Sequence, residues 1–320
     1  MRKRNQPGIA ANRRHPFLNS LIEQREMWLL CVPIIAWVLL FCYYPMYGLL
    51  MAFVNYTPGK QIWECGFVGL KYFKQFINGN DFWRILRNTL AMSGLNITVG
   101  FIAPILFAFM LNELGNPKVK KLVQTASYLP HFISWVVAGT MVTTVLGTDG
   151  VVNDVLLGLG VTKTRIQFLQ KGEWYWWIIT IVNIWKSLGW SAIIYLSAMT
   201  GVSEELCEAG SIDGMGRLGI AIHITLPAIL PTIVLLWIMQ VGNVLSAGFD
   251  QHLIIGNTIT QRYWEVIDTY TYRYGVQNGY YSLGTAGSLM KSVSGFVLVL
   301  ITNPQGRRRG PVLTERRALS

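Results

Sequence analysis

Apolar residues along this chain come in long blocks, not at the period of a surface strand or a one-sided helix. Six blocks stand out: Met27–Phe53, Asn88–Leu111, Leu122–Leu146, Trp174–Met199, Leu226–Ala247 and Tyr281–Thr302. A bilayer core about 30 Å thick takes about 20 apolar residues in helical form to cross, and each block meets that length. Aromatic residues gather at block ends, as in Trp174, Tyr175, Trp176 and Trp177, and again in Tyr280 and Tyr281. Such amphipathic rings favour the headgroup level. The pattern predicts an all-α, polytopic membrane protein with six transmembrane helices.

Composition agrees. Of the 320 residues, 52% are hydrophobic and 13% charged, against roughly 25% charged in an ordinary soluble domain. The net charge of +11 would suggest nucleic acid in a soluble protein. Here the basic residues cluster at the two ends: Arg2, Lys3, Arg4, Arg13, Arg14 and Arg25, then Arg307, Arg308, Arg309, Arg316 and Arg317. Basic runs beside apolar spans are what cytoplasmic retention and anionic lipid select. The predicted organisation is a basic cytoplasmic tail over 1–26, a six-helix transmembrane domain over 27–302 and a second basic cytoplasmic tail over 303–320. Both termini inside a bacterial plasma membrane is the expected orientation. The first block far exceeds a secretion signal's apolar region, and no small-x-small site follows it, so it is expected to stay as an anchor.

Two outer segments carry patterns of their own. In 67–90, Phe67, Leu70, Phe73, Phe76 and Ile77 recur at helical spacing, predicting an amphipathic helix in the outer interface. Segment 249–280 is polar and aromatic and is expected to hold some helix. The cysteines Cys31, Cys42, Cys65 and Cys207 show no paired spacing, and His15, His131, His223 and His252 are scattered, so no disulfide framework or metal site is expected.

The inner segment between blocks four and five, EELCEAGSIDGMGRLGIAIHITLPAILPT over 204–232, is the most informative. Glu204, Glu205 and Glu208 suit a helix N-terminus. Asp213-Gly214 offers a bend, and an apolar turn over 218–224 leads to Leu226-Pro227. Two short helices about a glycine, with apolar residues facing the cytoplasm, fit either a docking surface for another protein or a re-entrant lead-in to the fifth span. The residue order then separates the two. The stretch resembles the EAA loop of ABC importer permeases, E-A-A-x-x-D-G-A followed after about nine residues by I-x-L-P. Glu208, Ala209, Asp213, Gly214, Ile224, Leu226 and Pro227 match it in register. Gly210 stands for the second Ala, Met215 for the Ala after Gly, and Ala221 where an aromatic is common. WKSLGWSAIIYLSAMTGVSEELCEA, FDQHLI, EVIDTYTYRYGVQNGYYSLGTAGSLMKSV and FVGLKYF are similar to the LplB-type polysaccharide permeases of the MalF-like class. The resemblance covers nearly the whole chain after about residue 20. It implies that the loop over 204–226, with Gly210, Met215 and Leu218 among its contacts, couples to a separate ATPase. It also implies three partners: a second, homologous permease, a cytoplasmic ATPase dimer that holds ATP and Mg, and an extracytoplasmic sugar-binding protein or lipoprotein.

No phosphate loop is present, since Gly59-Lys60 is followed by Gln61 and lacks the upstream glycine. This chain is therefore expected to bind no cofactor and to catalyse nothing. Lys186, with Asn183 and Trp190 three before and four after it, makes one face of the fourth block polar and aromatic. Trp237, Gln240 and Asn243 repeat that mix in the fifth. These six are candidates for a sugar pathway, or else for hydrogen bonds between helices. Lys291 with Ser288 and Ser292 is similar. The expected function is ATP-driven, binding-protein-dependent import of oligosaccharides or polysaccharide fragments through one half of a heterodimeric pathway. The alternatives are a secondary sugar transporter, which would show two matching halves with broken helices, and a non-transport membrane scaffold.

Overall fold

A computed structural model describes residues 25–302; the predicted tails and their basic clusters lie almost wholly outside the described residues. The chain divides into two units, one ending at Met51 and one beginning at Ala52. The described part of the first unit is α1 (Glu26–Phe53), which continues two residues past the boundary. Its side chains are exposed and apolar along most of its length, as a helix in contact with lipid requires.

The second unit holds α2 (Lys71–Ile77), α3 (Phe82–Asn112), α4 (Pro117–Tyr128), α5 (Trp135–Val145), α6 (Val151–Gly158) and α7 (Gly172–Met199). It continues through α8 (Glu204–Ile212), α9 (Arg217–Gly242), α10 (Asp250–Ile255), α11 (Gln261–Trp264), α12 (Ile267–Tyr272) and α13 (Tyr281–Thr302). Among the described residues the only extended pairing is an isolated bridge between Val54 and Phe67. Five helices, α1, α3, α7, α9 and α13, are long and apolar enough to cross a membrane. The third predicted span is a broken pair. Asn116 caps α4 by accepting from the Lys118 and Val119 amides. A tight turn over Leu129–Phe132 contains Pro130, and Ser134 then caps α5. Pro130 alone does not explain the break, because α3 and α9 carry Pro104 and Pro231 without interruption. A fresh N-cap four residues on is what ends one helix and starts another.

Three prolines leave a shared signature. The chain widens into five-residue turns at Leu39–Tyr43, Asn96–Gly100 and Ala221–Thr225, just ahead of Pro45, Pro104 and Pro227. Proline lacks the amide that would close the preceding turn, and its ring crowds the carbonyl four residues back. A widened turn relieves both faults without ending the helix. The fifth span therefore begins earlier than the apolar pattern suggests, at Arg217, inside the loop.

α3 and α7 form the central pair and run parallel. Met92 packs with Tyr175 and Ile179 at one end, and Ala108 and Leu111 with Ala192, Leu196 and Met199 at the other. Ile229 of α9 joins the second cluster. The predicted interfacial helix over 67–90 is instead two helices parted at 78–81. Phe76 turns inward against Ile85, Ile267, Tyr270 and Leu283, while Phe67 stays exposed.

Segment 248–280 is a folded cap, not a linker. Asn88 at the start of α3 donates to the carbonyls of Arg262 and Glu265, both at 3.0 Å. Trp176 of α7 donates to Tyr263 O at 2.8 Å. Glu265 is fully buried between Arg84 at 2.8 Å and Arg273 at 2.5 Å. Burial pushes its carboxyl up, against the pull of Arg273 and Arg84. His252 is also fully buried. Its Nε2–H donates to Ala247 O at 3.1 Å, which leaves Nδ1 to accept from the Tyr175 hydroxyl at 3.1 Å. Lys291 pairs with Asp268, joining α13 to α12.

Candidate functional site

The loop over 204–226 is built as two helices about one elbow. Helix α8 ends in a pair of reverse bonds: Met215 N–H donates to Gly210 O at 2.9 Å and Gly214 N–H to Ser211 O at 3.1 Å. This closure satisfies two carbonyls the helix end would leave open, and it needs a left-handed residue between them. Gly214 supplies it with φ of 84°. Asp213-Gly214 is thus a stop signal for α8 and a sharp turn into α9.

The candidate loop residues divide by role. Glu208, Ala209, Asp213, Gly214, Met215 and Leu218 are exposed, whereas Gly210 is buried and Ile224 and Leu226 are half-buried. Pro227 is exposed on the first part of α9. Ile212 is 87% exposed and Leu218 73%, with Leu206 and Ile222 also open. Four large apolar side chains open on one short charged elbow are costly to leave in water. Arg217 lies 4.0 Å from Glu113 at the end of α3, so the loop and the 112–121 segment share one end of the molecule. The 248–280 cap holds the opposite end, at the starts of α3, α7 and α13.

Between these ends runs a polar groove. One cavity of about 240 Å³ is walled by Asn96 and Phe101 of α3, Asn183, Ser187 and Tyr195 of α7, and Gln240 of α9. A second, of about 310 Å³, shares Asn96, Asn183 and Ser187 and adds Lys186, Trp135 and Gln251. The side-chain amides of Asn96, Asn183 and Gln240 make no hydrogen bond to any described residue. Unpaired amides lining a cavity have hydrogen-bonding capacity to offer a polar ligand. Three of the six predicted pathway residues, Asn183, Lys186 and Gln240, therefore come together here. Trp190 stacks on His131 at 4.6 Å and 3° instead. Trp237 borders neither cavity, and Asn243 lines a separate one beside Lys291.

Lys186 is buried, and its Nζ donates to the His131 carbonyl at 2.8 Å. That carbonyl is free because the helix breaks at Pro130. The close approach of the two elements depends on Gly189, where a Cβ would lie 2.3 Å from the Ser127 carbonyl carbon. Sequence reasoning missed Asn96 and Trp135 as groove residues. The one available signal was Asn96 among apolar neighbours, ahead of a proline.

The chain is 37% identical over 303 residues to Protein LplB of Bacillus subtilis (strain 168), covering 94% of this chain and 95% of that protein. It is 38% identical over 299 residues to the polygalacturonan/rhamnogalacturonan transport system permease protein YteP of the same organism, covering 93% and 92%. A chain in the crystal structure of a bacterial ABC transporter involved in the import of the acidic polysaccharide alginate superposes with a TM-score of 0.83. The two are 36% identical, over 92% of this chain and 99% of that one. Residues 96–309 match the family of binding-protein-dependent transport system inner membrane components. The chain belongs to that family and is a multi-pass membrane transport protein, not an enzyme.

Proposed function

We propose that this chain is the permease subunit of an ATP-driven importer of polysaccharide fragments, forming one half of a two-permease pathway. The single observation that carries the coupling role is the elbow at Asp213-Gly214, which presents Leu206, Ile212, Leu218 and Ile222 outward from a helix closed by its own reverse bonds. A rigid handle with an apolar face suits an ATPase subunit that pushes on it. The second half of the handle is continuous with α9, so a push at Leu218 travels along one helix to Gln240 in the groove. The groove's free amides support a hydroxyl-rich cargo. Relatives named for polygalacturonan/rhamnogalacturonan and alginate transport support a polysaccharide fragment over a monosaccharide. The orientation that follows has both termini and the 204–226 loop in the cytoplasm. The 248–280 cap then faces a substrate-delivering binding protein; the bacterial alginate ABC transporter itself crystallises in complex with an alginate pentasaccharide-bound periplasmic protein.

The test is purification of the tagged chain from its native membrane in mild detergent. An ATP-hydrolysing subunit and a second permease should accompany it, and the isolated complex should drive ATP-dependent oligosaccharide uptake in vesicles. A chain that carries sugar with no ATPase present would refute the proposal.

A further inference from the structure

Three half-buried cations of the second unit outside the groove have carboxylate partners: Arg84 and Arg273 hold Glu265, and Lys291 holds Asp268. Lys186 does not. Among the described residues no carboxylate lies within 4.0 Å of its ammonium, though its side chain is buried. Its one protein acceptor is the neutral carbonyl of His131 at 2.8 Å, and its charge lies 5.5 Å from the Trp135 ring. An ammonium has three donors, so two are left for the adjoining cavity of about 310 Å³, whose other walls include Asn96 and Asn183.

A carbonyl tether could be made by a neutral amide at far lower cost. A charge kept inside a membrane without a counter-ion is expensive, and such residues mark the path of a charged cargo. From this geometry we propose that Lys186 recognises a sugar carboxylate in the groove, so the fragments imported are uronate-bearing oligosaccharides. This rests on the import function proposed above. A carboxylate arriving beside Nζ forms a charge-assisted hydrogen bond and supplies the missing anion, while Asn96 and Asn183 are free for ring hydroxyls. A single lysine holds that carboxylate as a point charge, without the two-pronged grip of arginine. That suits a passage which must also let its cargo go.

The test uses the complete transporter in vesicles at saturating binding protein, with trigalacturonate and its carboxyl-reduced, neutral counterpart as probes. Wild type should carry trigalacturonate at least tenfold faster. Lys186→Gln, which keeps a donor for His131 and loses the charge, should abolish that preference by slowing trigalacturonate far more than the neutral probe, and Lys186→Arg should retain it. Equal wild-type rates for the two probes would overturn the proposal, and that result needs no variant to fold. An equal fall for both probes in Lys186→Gln would also overturn it, leaving Lys186 a helix tie only. Absence of ATP-driven uptake of either sugar by wild type would instead defeat the import function itself.

Discussion

Ile224 fills the space that a side chain at residue 210 would take: a Cβ added to Gly210 would lie 2.8 Å from Ile224 Cδ1. The glycine that departs from the E-A-A pattern and the isoleucine that keeps the I-x-L-P pattern are therefore one contact. It holds the two halves of the elbow together. Gly210→Ala gains about 1 kcal/mol of helix propensity and asks only the end of a flexible side chain to move. Its thermal stability and uptake should stay close to wild type. Gly210→Leu must expel Ile224, an overpacking cost of about 1–3 kcal/mol, and ATP-driven uptake should be lost while membrane abundance is kept.

Gly214 makes a separate prediction, since open space surrounds it and its φ of 84° is the whole constraint. Gly214→Ala should cost about 1 kcal/mol locally. Gly214→Val should open the elbow. Binding-protein affinity should be unchanged in both, with ATP-driven uptake reduced in the first and abolished in the second.

The cap should respond to acid through His252. Complete burial lowers its pKa from 6.5 to about 4. Between those values the unfolded chain takes up a proton that the folded imidazole refuses, so stability falls as the pH drops through that window and is flat above it. The loss at pH 5 should be about 2 kcal/mol. Thermal unfolding in lipid nanodiscs at pH 7 and pH 5 measures it, and His252→Gln should flatten the step.

Lys291 and Asp268 sit 19% exposed each. Removing one partner of a buried pair leaves a charge without compensation and costs about 3 kcal/mol. Lys291→Met or Asp268→Asn should each lower the unfolding temperature more than the double variant does. Additive losses in that cycle would show that the pair does not join α12 to α13 energetically.

The spans were legible because crossing a bilayer demands a composition that local sequence displays. Tyr281–Thr302 matches its apolar block to the residue, and Gly172–Met199 starts two residues earlier. The break at Pro130 was not legible: hydropathy averages across it, and Pro104 and Pro231 sit in unbroken helices. The loop was legible as a motif, since its turn chemistry is local, from the Glu-rich start to Asp213-Gly214. The cap was not. Arg84 and Glu265 are 181 positions apart, and no periodicity in 249–280 foretells which distant guanidinium will bury that carboxylate. Lys186 stands out in the sequence as a charge within an apolar block, but its tie to His131 depends on a carbonyl that only the helix break sets free.

The most direct measurement is a short-reach crosslink from a cysteine placed at Ile212, the most exposed apolar residue of the elbow, in membranes holding the whole complex. It should trap an ATP-hydrolysing subunit, with a yield that changes between nucleotide-free and ATP-bound states. Capture of no such subunit, or labelling of that cysteine by an impermeant reagent from the outer face, would contradict the account.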